Sequence, residues 1–253
     1  MDDELPPGKN RLCVDDHAGE SYLAILRRMH EALNPRTYLE IGCDTGESLA
    51  LAKCASIGVD PRHRIKAEAA LGTKPICAIY RTTSDDFFER HDPAAVLGGP
   101  IDFAFLDGLH FCEYLLRDFA NTERHSQRNS VIALHDCLPV EWPMAEREHT
   151  RKPVRPHHIH SWAGDVWRTA LLIKRRRPDL EITAYAAPPT GLVFITNLNP
   201  ASTTLMDDYH GCVRQMMGMT LQDFGISSLF EELGVEPTSV LRDRGGISTR
   251  FWL

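Results

Sequence analysis

The sequence of 253 residues has no run of about 20 apolar residues, the length a helix needs to cross a bilayer. Its opening, MDDELPPGKN, is acidic and has no apolar stretch, so no secretory signal is expected there. Positive charge is in the minority: 28 Lys and Arg against 35 Asp and Glu give a formal net charge of −7. A general phosphate-backbone binder relies on clustered Lys and Arg, so neither a nucleic-acid nor a membrane partner is expected. The one basic run, Lys174-Arg175-Arg176-Arg177, follows Ala170-Leu171-Leu172-Ile173 and reads as a solvated helix end, where the helix dipole favours cations. None of the seven cysteines (Cys13, Cys43, Cys54, Cys77, Cys112, Cys137, Cys212) forms a CxxC pair, which removes support for a zinc ribbon or a thioredoxin-like motif. Scattered thiols in apolar stretches suit burial in a reducing cytoplasm, with Cys43 and Cys137 the two that lie near the motifs below.

What is present is globular. Hydrophobic residues make up 43% and charged residues 25% of the chain, and there is neither an internal repeat nor a flexible linker. One domain over residues 1–253 is the expectation, with a loose arm at 1–20, a lid loop at 137–163, and a C-terminal helix and tail at 199–253. Short apolar runs alternate with amphipathic segments, as in repeated strand–helix units. Strands are expected at 37–41, 55–60, 76–80, 101–106 and 130–135. Helices are expected at 45–53, 111–124, 165–176 and 204–217, and one ending near Leu33 precedes the first strand. Continuous apolar strands such as IDFAFL and VIAL require a sheet covered on both faces. Strands at 180–187 and 192–196, separated by a turn containing Pro188-Pro189-Thr190-Gly191, form a hairpin, so one of them runs antiparallel.

In open α/β sheets, ligands bind beyond the carboxyl ends of the strands. After the first strand comes Glu40-Ile41-Gly42-Cys43-Asp44-Thr45-Gly46-Glu47-Ser48. This is not G-x-G-x-x-G: Asp44 stands where a pyrophosphate would approach the backbone, so the loop suits a nucleoside without phosphate, carrying an amino group that Glu40 or Asp44 could meet. Asp60 ends the second strand, where a carboxylate can accept both ribose hydroxyls. Thr83-Ser84-Asp85-Asp86 follows the third strand and offers acidic groups to an adenine amino group, or simply a helix cap. Asp107-Gly108-Leu109-His110 and His135-Asp136 close the fourth and fifth strands. Two carboxylates on adjacent buried strand ends repel unless protonated or bridged by a cation, and oxygen ligands favour Mg²⁺ or Mn²⁺. His110, three residues past Asp107, could act as general base beside such an ion.

These motifs, in this order, resemble the class I S-adenosylmethionine-dependent methyltransferases. The DGLH and HDCLP segments, with GDVW and PPTGL, resemble more narrowly the metal-dependent O-methyltransferases related to macrocin and mycinamicin O-methyltransferases. The resemblance covers roughly residues 30–200. It implies a Rossmann-like, doubly wound α/β sheet of seven strands, mostly parallel, with a C-terminal antiparallel hairpin strand. It implies cofactor contacts from Glu40, Gly42, Ser48, Asp60, Asp85 and Asp107, metal ligands at Asp107, His135 and Asp136, and a catalytic base at His110. The relatives carry an acidic pair where this chain has His135-Asp136, which opens the site to softer ions such as Zn²⁺. The implied cofactors are S-adenosyl-L-methionine and a divalent metal. The implied reaction is O-methylation of a small-molecule hydroxyl on a sugar, polyketide or phenol, by a cytoplasmic protein that could form a homo-oligomer. Two other readings use the same residues: a non-catalytic cofactor-binding module, and a hydroxylase-like oxidoreductase with a 2-His-1-carboxylate centre. His149, His157, His158 and His160, with Trp142 and Trp162, mark the 137–163 loop as a lid over the acceptor pocket, or as a second metal site.

Overall fold

A computed structural model describes residues 12–66, 70 and 72–253. Five strands follow the expected order: β1 (Thr37–Ile41), β2 (Ala55–Val59), β3 (Cys77–Tyr80), β4 (Ile101–Leu106) and β5 (Ser126–His135). The hairpin supplies β6 (Glu181–Tyr185) and β7 (Leu192–Thr196). Among the described residues these seven and a two-residue β8 (Val235–Glu236) form one sheet in the order β3-β2-β1-β4-β5-β7-β6-β8. Strands β1 to β5 pair in parallel, and β7 runs antiparallel to both β5 and β6. Strand order reverses between β1 and β4, which opens a crevice at their carboxyl ends.

Alternation along the strands sorts side chains to two faces. Leu39, Ile41, Ala104, Leu106, Ile132 and Leu134 pack on one face with Leu115, Leu116 and Phe119 of α3 (Cys112–Arg124) and the apolar side of α4 (Trp167–Arg176). Tyr38, Phe103, Phe105, Val131 and Ala133 pack on the other, against Ile25, Leu26 and Met29 of α1 (Tyr22–Leu33). Helix α1 starts at Ser21, whose hydroxyl accepts from the Ala24 N–H, and stops at Asn34 in the left-handed region. On the first face, α2 (Ser84–Arg90) contributes buried Phe87. No helix among the described residues is long and apolar enough to cross a membrane.

Three expectations change. The helix expected at 45–53 is a single 3₁₀ turn at Leu49–Leu51, because Gly42, Asp44 and Gly46 all take positive φ (85°, 32° and 84°) and hold the chain in turns. The helix expected at 204–217 is broken at Asp208, which leaves helical geometry (φ −117°, ψ 36°) and gives its carboxylate to Arg176 at 3.2 Å. The described part of the expected loose arm is tied down: the Val14 N–H donates to Val140 O (2.9 Å), the Trp142 N–H to Leu12 O (2.9 Å), and Cys13 bridges Glu141. Residues 1–11 of that arm lie outside the described residues. The tail is also more ordered than its polarity suggests. Here α5 (Ile226–Leu233) buries Ile226, Leu229 and Leu233, and β8 extends the sheet beside β6.

Candidate active site

Beyond the β1 and β4 ends lies an open cavity of about 590 Å³, lined among others by Gly42, Asp44, Asp60, Thr83, Ser84, Asp107, His110 and Tyr114. Gly42 is required where it stands: a Cβ there would lie 1.9 Å from the Asp107 carbonyl oxygen. The two strand ends can approach only because residue 42 has no side chain and accepts a φ of 85°. The Asp60 carboxylate is held at the lip of the cavity by two backbone amides, Asp44 N–H at 2.8 Å and Arg62 N–H at 2.7 Å. Asp44 forms an exposed bidentate pair with Arg64 at 2.8 Å, which occupies a carboxylate expected to meet an amino group.

Three expected cofactor contacts do not line the cavity. Glu40 shares the parity of Tyr38 and is buried on the α1 face, where it accepts from the Tyr38 hydroxyl (2.6 Å) and the Ser48 hydroxyl (2.7 Å). Burial raises its pKa to about 7, against the pull of those two hydrogen bonds. Ser48 donates to Glu40 and lies outside the cavity lining. Asp85 makes a bidentate pair with Arg117 of α3, at 2.8 and 2.7 Å. The helix cap falls to Thr83, which accepts from the Asp86 N–H and lines the cavity with Ser84.

The strand-four and strand-five motifs do converge. Register pairs Leu106 with Leu134, so Asp107 and the His135-Asp136 pair leave adjacent strands side by side. Asp136 turns into the left-handed region at φ 60° and accepts from the buried Thr190 hydroxyl. His110 Nε2 lies 3.1 Å from Asp136 Oδ2 and 3.6 Å from Asp107 Oδ1. His135 Nδ1 lies 3.2 Å from Asp107 Oδ1 and 3.4 Å from Asp136 Oδ2. Ligand atoms of Asp107, His110 and Asp136 all fall within 4.8 Å of one another, a donor set of oxygens and nitrogen that fits a divalent cation.

Electrostatics adds a second way to hold the carboxylates together. Burial opposes a charged ring at both histidines, yet Asp136 and Asp107 outweigh it, raising His110 to about 9 and His135 to about 10. Burial alone would raise the Asp107 pKa, but His135 and His110 hold it well below the usual carboxylate range. The two imidazolium rings therefore offset the two carboxylates, and a bridging metal is not required to relieve their repulsion.

The 137–163 loop reaches this cluster. His110 Nδ1–H donates to the Trp162 carbonyl at 3.0 Å, and its ring stacks on the Trp162 indole at 5.2 Å. In the neutral ring this fixes the tautomer, and in either form it leaves Nε2 as the nitrogen facing the carboxylates. Two participants escaped the sequence reading. Tyr22 lays its ring over His135, with centroids 4.2 Å apart, and Thr190 holds Asp136. Thr190 is there because β7 pairs with β5 and sets Leu192 opposite His135, a register that no local motif announces.

A family model for a methyltransferase domain matches residues 17–137. No curated protein matches the chain. Among solved structures, the chain is similar to the O-methyltransferase TomG from Streptomyces achromogenes, solved with S-adenosylmethionine. That match has 14% identity and a TM-score of 0.51, covering 70% of this chain and 79% of that one. It is also similar to a cofactor-bound protein from MTB, with 19% identity and a TM-score of 0.50, covering 78% of this chain and 85% of the other. The match to a methyltransferase domain thus spans residues 17–137, and the strand order, with its reversal between β1 and β4 and its antiparallel β7, is a fold that the chain shares with TomG.

Proposed function

We propose that this protein transfers a methyl group from S-adenosylmethionine to a hydroxyl of a small molecule, a sugar, polyketide or phenol, with His110 as proton acceptor. The observation that carries the reading is His110 itself, anchored through Nδ1 to the Trp162 carbonyl while Nε2 faces Asp107 and Asp136 at the cavity wall. Gly42 and Asp60 bind and orient the cofactor: Asp60 receives the ribose hydroxyls, and Gly42 lets the ligand approach the backbone. The lid, residues 137–163, excludes water from the acceptor side and fixes the base. Residues 1–253 act as one domain, and the seven free cysteines fit a cytoplasmic setting.

Asp107, Asp136 and His135 would hold a divalent cation, Mg²⁺ or Mn²⁺ with Zn²⁺ as a competitor, and such an ion would supply the positive charge that draws an acceptor hydroxyl toward ionisation. With no ion beside it, His110 shares the two carboxylates with His135 and is held charged at neutral pH, so its proton-accepting form belongs with a filled site. The test is methyl transfer to a panel of hydroxylated acceptors, read as product mass. His110→Ala should keep cofactor binding and lose about 10²–10⁴-fold in turnover, the usual worth of general acid–base catalysis. A loss below threefold would remove His110 from the chemistry, and full activity after exhaustive chelation would remove the ion.

A further inference from the structure

A second constellation of metal-type ligands lies where the N-terminal segment meets the lid. Asp16 Oδ2 is 2.7 Å from His157 Nε2, and Asp16 Oδ1 is 3.1 Å from His158 Nε2. Ligand atoms of all three residues lie within 4.8 Å of one another. His157 is open to solvent, with 61% of its side chain exposed, and Asp16 is half-exposed, so an ion has a way in.

The arrangement behind them gives the cluster direction. His158 is 8% exposed, and its Nδ1 finds no hydrogen-bond partner. That nitrogen faces Oε2 of fully buried Glu141 at 3.4 Å. Glu141 is itself fixed by the Val154 and Arg155 N–H groups, at 2.9 and 3.1 Å. In the tautomer with its proton on Nδ1, the side toward Glu141, His158 presents its Nε2 lone pair to the Asp16 carboxylate. Two such electron-rich atoms repel unless a cation lies between them. A carboxylate behind the far nitrogen of a histidine is the usual support of a metal-binding imidazole. Arg155 also touches Asp16, at 2.5 Å, but its other contacts, to Glu141 and the Val140 carbonyl at 3.2 Å, retain it when an ion takes its place.

We propose that Asp16, His157 and His158 form a binding site for a zinc-class divalent cation, separate from the active-site cavity, that clasps the N-terminal segment onto the lid. Two imidazoles and one carboxylate suit zinc better than magnesium, and three protein ligands leave a position for water.

The test is calorimetric titration of the metal-stripped full chain with zinc chloride alone. An Asp107→Asn, Asp136→Asn double variant should keep one zinc equivalent, because the clasp owes nothing to those residues. His157→Ala or Asp16→Asn in that background should weaken the remaining binding at least about tenfold, as loss of support for a metal ligand already does. Circular dichroism confirms that each variant is folded, and His157→Ala, at an exposed position, serves if Asp16→Asn does not fold. The proposal is overturned if the double variant takes up no zinc, or if its zinc affinity is the same with and without His157. None of these readouts depends on methyl transfer.

Discussion

At Glu40 a buried acid exchanges a ligand-facing role for a structural one, and the consequence can be measured. Its pKa stands near 7 in the folded chain, so between the unfolded value and that point the native state keeps a proton that the unfolded chain has lost. Its stabilising contribution is complete below about pH 4.3 and disappears as pH rises through 7. Glu40→Gln keeps the shape and an acceptor for Tyr38, but has no charge to form. Urea titrations from pH 5 to 8 should show the wild type losing up to about 3 kcal/mol relative to the variant. A constant difference across that range would mean that Glu40 is ionised throughout. Asp60 makes the opposite case, a carboxylate left facing the cavity with both oxygens oriented by backbone amides. Asp60→Ala should weaken binding of the demethylated cofactor by roughly 1.5–3 kcal/mol in calorimetry, the range for hydrogen bonds to a charged group.

Elements show where local pattern ends. Strands β1, β2, β4 and β7 are readable from apolar runs between turn residues, and so is α3 from the spacing of Leu115, Leu116 and Phe119. Gly42, Asp60, Asp107 and Asp136 are readable too, because each follows a strand directly, and His110 stands three residues past Asp107. Which face a residue occupies is not: Glu40 alternates correctly, yet nothing local says that its parity leads to α1 rather than to the crevice. Asp85 was equally opaque, since its partner Arg117 lies 32 positions away. In the turn after β1, Thr45, Glu47 and Leu49 suit a helix, while positive φ at Gly46, inside that span, forbids one from Thr45. Gly42 is the element-scale test. Gly42→Ala should cost about 1–3 kcal/mol from backbone conformation alone, and more from the clash with the Asp107 carbonyl. Thermal unfolding should show a clear drop in midpoint, and a variant as stable as the parent would mean that β1 and β4 ends are free to separate.

For the whole molecule, the C-terminal segment is part of the core rather than an appendage. Ile226, Leu229, Leu233, Leu241, Ile247 and Phe251 are all buried, on both faces of the sheet. At roughly 1.5–3 kcal/mol for each buried side chain, their removal forfeits on the order of 10 kcal/mol, comparable to the entire stability of a typical domain. A chain truncated after Phe224 should therefore be recovered as aggregate, and a soluble, cofactor-binding product would contradict that accounting.

The position of Thr190 has a consequence in time. Ribosomes deliver a chain from its amino end, and the wall proposed to receive the cofactor runs from Gly42 to Tyr114. The acceptor side waits for Asp136, for Trp162 to capture His110, and last for Thr190, 54 positions after the carboxylate it steadies. Order of birth thus places completion of the proposed acceptor side last. Until those residues emerge, a nascent chain has no completed apparatus with which to spend the proposed cofactor's methyl group on a chance nucleophile.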